Sequence, residues 1–260
     1  MKKTFAVAIA ALLTLFAACK EPPKSALLDQ VKAKRELTIA LEGTWEPWSY
    51  HDENGELVGF DVEVAKTVCQ RLGVKARFVE LQWEQILGNL ERRKCDIVVD
   101  GVEITPERSK RYYFSQPYAY DRTALIVRSD NKNINSFEDL KGRTSGNTLD
   151  TTYCHMAEQY GAIIIATDPF EETMKLLLEN RIESTLNSET CFYEYTRAHS
   201  NAPVKIAALS ETSTPVAIVC RRDDTNLSFL QELNQILTDL HADGTLDKLS
   251  IKYFGRDITN

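Results

Sequence analysis

Asp61-Val62-Glu63-Val64-Ala65-Lys66-Thr67-Val68-Cys69-Gln70-Arg71-Leu72-Gly73, followed by Val74-Lys75-Ala76-Arg77-Phe78-Val79, decides the fold class. Val64, Val68 and Leu72 recur at helical spacing on one face, Asp61 is a candidate cap and Gly73 a stop. Residues 76–79 then read as a strand. Working outward, Leu37-Thr38-Ile39-Ala40 is a short apolar strand, and 52–59 is a mostly polar turn region containing Gly55 and Gly59. On the other side, 84–92 reads as a helix with Ile86, Leu87 and Leu90 inward, and 96–99 as a strand. This β-α-β-α-β rhythm predicts a parallel sheet covered by helices.

A second alternating unit begins near Asn131. Ser136-Phe137-Glu138-Asp139-Leu140-Lys141-Gly142 reads as a short helix and its stop. Helices are expected over 151–160, 171–179 and 189–198, a buried strand over 162–166 and another strand over 184–187. Strand-like stretches at 123–127 and 216–220 bracket the unit. Two helices follow, 229–243 with Leu230, Leu233, Ile236, Leu237 and Leu240 on one side before Gly244, and 246–253. They have no sheet of their own, so they return to the first unit. The result is an α/β protein of two lobes: a discontinuous lobe 1 (36–122 plus 218–260) and lobe 2 (123–217), with hinge strands at the ends of lobe 2. No internal sequence repeat stands out.

The ends carry targeting information. Lys2 and Lys3 precede an apolar run from Phe5 to Phe16, too short to span a bilayer permanently. Residues 1–18 read as a signal peptide and 19–35, with Pro22 and Pro23, as a tether. The net charge is −7, and −9 once Lys2 and Lys3 are gone. An acidic surface argues against nucleic acid and anionic bilayers as partners. Of six cysteines, none shows C-x-x-C spacing. Cys69, Cys95 and Cys220 fall in apolar patterns and read as buried; Cys154 and Cys191 are a candidate pair.

Three stretches suggest recognition chemistry. In Asp100-Gly101-Val102-Glu103-Ile104-Thr105-Pro106-Glu107-Arg108, Thr105 is a candidate N-cap and Pro106 a first helical residue. Arg108 then lies in the first turn, where the helix dipole disfavours a cation and an anion is needed nearby. That anion is either a surface acid such as Glu107 or a ligand carboxylate gripped by the guanidinium. Gly43-Thr44-Trp45-Glu46-Pro47-Trp48 puts two tryptophans just past a strand. Trp48 reads as core, whereas Trp45 and Trp83 stand at strand ends, where α/β sheets bind ligands. In Asn147-Thr148-Leu149-Asp150-Thr151-Thr152-Tyr153 the threonines offer hydroxyls and N–H groups to an anion, or simply cap the helix.

Leu57-Val58-Gly59-Phe60-Asp61, Ile104-Thr105-Pro106-Glu107-Arg108 and Phe114-Ser115-Gln116-Pro117-Tyr118, with Gly244-Thr245-Leu246 and Tyr253-Phe254-Gly255, occur in an order that resembles the bacterial extracellular solute-binding proteins, family 3, in its polar amino-acid branch. The resemblance implies a periplasmic-binding-protein-like fold, two α/β lobes on two hinge strands. It implies an amino acid held between the lobes, with Glu42 near the ligand, Trp45 and Trp83 as walls, and the Gly101 carbonyl on the α-amino group. Arg108 falls on the carboxylate-binding arginine and Thr151 and Thr152 on second-lobe donors. Two positions depart: Glu103 stands where Ser or Thr is common, and Ser188 where Asp is common. Glu103 is therefore expected to take the α-ammonium contact, the alternatives being that it binds a ligand side chain or pairs with Arg108. Asp150 also replaces a common Gly, and an acid there weakens anion binding unless it turns away.

Phe16-Ala17-Ala18-Cys19 resembles a lipoprotein cleavage site, with Phe16 in place of the commoner aliphatic residue, which would lipidate Cys19. The implied protein is the exported, monomeric binding component of an ABC importer, with a membrane permease as partner. The implied ligand is a polar amino acid, cationic or cystine. The rival is a cyclohexadienyl dehydratase-like enzyme using Glu103 as general acid, or a partner that presents ligand to a receptor. No metal spacing, cofactor motif or nucleophile–base motif is present in the sequence, so neither metal nor cofactor is expected.

Overall fold

Two five-stranded sheets, each flanked by helices, organise the chain in a computed structural model that describes residues 26–260. Residues 1–18, expected as a signal peptide, and Cys19 lie outside the described residues. The first sheet runs Lys75–Glu80, Glu36–Leu41, Ile97–Val98, Val219–Arg221, Tyr112–Phe114. The second runs Ile163–Ala166, Thr144–Asn147, Ser184–Ser188, Thr123–Arg128, Val204–Leu209. In each, the first three strands are parallel and the last two antiparallel to their neighbours. The expected all-parallel sheet is thus mixed. The fourth strand enters each sheet after the chain has crossed between lobes and runs against the βαβ direction. The two lobes share a strand order that no sequence repeat announces.

The crossing itself is a short antiparallel pair, Ala119–Asp121 with Thr214–Val216. The stretches expected as hinge strands begin or continue past this pair: Thr123–Arg128 belongs to the second sheet and Val219–Arg221 to the first. The C-terminal tail lies along the hinge, where the Tyr120 amide donates to the Ile258 carbonyl at 2.7 Å.

The late helices Leu227–Ala242 and Thr245–Phe254 return to the first lobe. Phe229, Leu233, Leu237, Leu240 and Leu246 are fully buried in a core with Leu37, Ile39, Val64 and Val68. That core also takes Leu27 and Val31 from the helix Leu27–Lys34. Residues 27–34 are therefore packed structure rather than tether, because Leu27 and Val31 lie four apart on one face. Asp61 is not a cap. The helix Phe60–Leu72 starts from Gly59, and Asp61 turns inward, accepting from the Tyr118 hydroxyl and the Gly101 amide, both at 2.6 Å.

The apolar run 162–166 gives an edge strand, not a buried one. Ile163 is 54% exposed and Ile165 39%. Among the described residues Cys154 and Cys191 are buried and unpaired, as are Cys69, Cys95 and Cys220.

Candidate functional site

The parallel strands of both sheets point their carboxyl ends at one cleft, the position where open α/β sheets collect ligand groups. Glu42 follows Glu36–Leu41, Asp100 and Gly101 follow Ile97–Val98, Thr148 follows Thr144–Asn147, and Asp168 follows Ile163–Ala166. The cleft encloses about 630 Å³ of non-protein space, partly open to solvent. Glu42, Trp45, Trp83, Gly101, Glu103, Arg108, Thr151 and Thr152 all line it.

Arg108 is placed by its helix. Thr105 caps Pro106–Arg111, its hydroxyl accepting from the Arg108 amide at 3.1 Å. The guanidinium lies over the Trp83 ring, 5.2 Å from its centroid. It donates to the Glu103 carbonyl at 3.1 Å and, across the cleft, to the Asp150 carbonyl at 3.5 Å. Both partners are neutral backbone groups, and among the described residues no carboxylate forms an ion pair with it. Burial lowers its pKa, with Glu103 opposing.

Glu103 is 5% exposed. Burial raises its carboxyl above the ordinary glutamate value, while the Thr152 hydroxyl and Arg108 pull it down. Its backbone bridges Val216 of the hinge, and the next amide, Ile104, donates to the Pro215 carbonyl at 2.9 Å. The residue thus touches the first lobe, the second lobe and the hinge.

Trp45 stacks on buried Trp48 at 5.4 Å and 12°. Its indole N–H donates across the cleft to Asn187 at 3.3 Å. Trp48 likewise donates to the Thr190 hydroxyl at 3.2 Å. These interlobe bonds mark a closed arrangement. Gly101 adopts φ +55°, and a Cβ there would overlap the Trp45 ring.

The second lobe departs more from expectation. The Thr151 hydroxyl is occupied as a cap, accepting from the Cys154 amide at 3.0 Å and donating to the Thr148 carbonyl at 2.7 Å. Thr152, one residue on, faces Glu103 instead. Asp150 has φ +60°, which accounts for the glycine expected there, and it is exposed and not part of the cleft lining. Ser188 does not line the cleft. It is fully buried, and its hydroxyl caps Glu189–Ala198 by accepting from the amides of Thr190 and Cys191.

Sequence reasoning missed Asn187, Asp100 and Asp168, all of which line the cleft. An acid immediately after an apolar strand was the available signal for Asp100. Asn187 offered none.

Behind the cleft, buried Glu189 of the second lobe is held by two arginines. Arg122 donates to it at 2.9 and 3.1 Å, and Arg256 of the C-terminal tail at 2.9 Å.

Known proteins share this architecture and sequence. A probable amino-acid ABC transporter-binding protein of Haemophilus influenzae is 35% identical over 233 residues, 90% of each chain. The L-cystine-binding protein TcyA of Bacillus subtilis is 33% identical, covering 88% of this chain and 85% of its own. The solved structure of an ancestral arginine-binding protein bound to arginine superposes with a TM-score of 0.79 at 33% identity, covering 85% of this chain and 98% of that one. The model of bacterial extracellular solute-binding proteins, family 3, matches residues 37–256, and the chain belongs to that family.

Proposed function

We propose that this protein captures a free α-amino acid between its lobes and delivers it to the permease of an ABC importer. The observation that carries the reading is Arg108: a largely buried guanidinium, fixed by two carbonyls and an indole, facing the cleft with no carboxylate in an ion pair with it among the described residues. A buried cation without an anion is costly, and an incoming carboxylate supplies one with bidentate geometry. Glu103 stands beside it as the complementary charge for an α-ammonium, so a zwitterion satisfies both.

In the mechanism that follows, the ligand first meets Arg108, Trp83 and Trp45 on the first lobe. Closure then brings Asn187 against Trp45, Thr152 against Glu103 and the Asp150 carbonyl against Arg108. The hinge pair and tail absorb the rotation. The closed surface is what a permease can distinguish from the empty form. Lipidation at Cys19 keeps the monomeric protein at the membrane, in line with Phe16-Ala17-Ala18-Cys19.

Isothermal calorimetry against the standard amino acids and cystine tests the reading; no binding by any of them ends it. The dehydratase alternative draws on one fact, that Glu103 is kept protonated more readily than an exposed acid. Turnover of prephenate or arogenate would establish it.

A further inference from the structure

The end of the first lobe away from the cleft carries an ordered row of cations. The parallel strands of that sheet begin there: Lys75 opens Lys75–Glu80, Arg35 precedes Glu36–Leu41, and Lys94 lies just before Ile97–Val98. Lys34 closes the helix that feeds the middle strand. Strand pairing fixes the order. The Lys75 amide donates to the Arg35 carbonyl at 2.9 Å, with Glu36 in register with Lys75. On the other side the Asp96 amide donates to the Thr38 carbonyl at 2.8 Å. Paired strands lie about 4.8 Å apart, so the row crosses neighbouring strands. The strand Val219–Arg221 runs the opposite way and ends at the same base, where Arg93 reaches Asp223 at 2.6 Å.

Little acid answers this row. Glu36 is paired with Arg77 at 3.1 Å and Asp223 with Arg93. That leaves exposed Lys34, Arg35, Lys75, Arg92, Lys94 and Arg222 against Asp96 and Asp224. Among the described residues no ion pair or hydrogen bond holds the side chains of Lys34, Arg35, Lys75 and Lys94. The matching base of the second lobe is different. Arg128, Arg143 and Arg181 are paired there with Asp130, Glu183 and Glu179 at 2.9, 3.0 and 3.9 Å. The net charge of −7 weighs against an anionic bilayer only if it is spread evenly, and at the base of the first lobe it is reversed.

We propose that this base docks on the anionic phospholipid headgroups of the membrane that holds the chain's N-terminus. The proposal goes beyond capture and delivery, and of that reading it uses only the lipid anchor. The helix Leu27–Lys34 packs against Asp224–Asn226 at the same end of the lobe. Cys19 stands eight residues before Leu27, an extended reach of at most about 29 Å. A basic surface beside an anchor adds attraction to an anionic leaflet. A permease fits the base less well. It must read closure, and this surface belongs to one lobe and keeps its shape as the lobes rotate. Docked in this way, the protein turns its cleft, at the other ends of the same strands, away from the bilayer and toward arriving solute. The attraction fades within a Debye length of about 8–10 Å, so a loaded molecule can lift off to reach its permease.

Vesicle sedimentation with the unlipidated chain from Lys20 onward tests this, a form that keeps both sheets and their cores. On vesicles of phosphatidylglycerol and phosphatidylcholine in equal parts, the bound-to-free ratio at about 50 mM salt should exceed that on phosphatidylcholine alone by at least about tenfold, and should collapse at about 0.5 M. The combined variant Lys34→Gln, Arg35→Asn, Lys75→Gln, Lys94→Gln should lose at least about tenfold of that binding, with Tm and amino-acid affinity unchanged. Asparagine is chosen at Arg35 because φ there is 55°. A control with the same change in net charge on the second lobe, Lys132→Gln, Lys141→Gln, Lys175→Gln, Arg181→Gln, should lose less than about threefold. If the first variant fails to fold, Lys75→Gln with Lys94→Gln carries the comparison, with an expected loss of at least about threefold. Equal wild-type binding to both vesicles, or binding indifferent to salt, overturns the proposal and leaves the base to an acidic protein. Equal losses in the two variants overturn it as well, by assigning the attraction to net charge. Neither result touches the amino-acid reading, which calorimetry decides separately.

Discussion

Trp45 of the first lobe and Asn187 of the second meet across the cleft, indole N–H to amide oxygen, at 3.3 Å. The bond exists only when the lobes are together. It therefore adds to closure, by about 1 kcal/mol for a neutral pair. Asn187→Ala should raise the ligand Kd about fivefold and enlarge the ligand-bound radius of gyration in X-ray scattering. An unaltered Kd and scattering profile would show the contact to be incidental.

Glu103→Thr tests the ammonium contact. The substitution removes the buried negative charge beside Arg108 and keeps a hydroxyl. Amino-acid affinity should fall by more than about tenfold, the scale of a charged hydrogen bond. Equal affinity in calorimetry removes Glu103 from ammonium recognition.

Gly101→Ala probes the cleft wall. Its new methyl group cannot coexist with the Trp45 ring as placed, and φ +55° is unfavourable for alanine. The fold should persist with Tm lowered by about 2–4 °C, while ligand binding is lost through displaced Trp45. Full binding by a folded variant would contradict the described wall.

The Arg122–Glu189–Arg256 bridge has a pH signature. Burial pushes the Glu189 carboxyl up, but the hydrogen bonds from Arg122 and Arg256 outweigh it and hold it below the ordinary glutamate value. A depressed folded pKa contributes stability above the unfolded value, about 4.3, and loses it as pH falls through the folded one. The arginines are about 40% exposed, so screening keeps the effect small. Glu189→Gln should therefore lower Tm by about 2–4 °C at neutral pH, with the gap closing in strong acid. A gap that widens on acidification would reverse the assignment.

The thiols should be silent. Burial pushes Cys69, Cys95 and Cys220 up to about 12 and Cys154 to about 11, and raises Cys191 well above the ordinary thiol value. The thiolate is the reactive form. A form lacking Cys19 should show no fast reaction with Ellman's reagent at mildly alkaline pH, then five thiols on denaturation. Fewer than five would reveal a disulfide.

Local chemistry was legible in the chain; long-range partnerships were not. Thr105, Pro106 and Arg108 could be placed because a cap and first turn span few residues. Leu233, Leu237 and Leu240 were legible through their period. Asp61 looked like a cap because its true partner, Gly101, lies far along the chain. Ile163 and Ile165 looked buried because a β-branched run reads alike at a sheet's centre and its edge. Ser188 marked a departure from the family pattern, but only three-dimensional structure reveals it as a cap.

The strand Val219–Arg221 sits inside the first sheet, between Ile97–Val98 and Tyr112–Phe114. The second sheet draws all its strands from one continuous stretch, Thr123–Leu209. During synthesis and export, then, the half that emerges in the middle of the chain can complete itself first. The half that emerges earliest must wait, with an interior strand missing, until the second half has passed and Val219–Arg221 arrives.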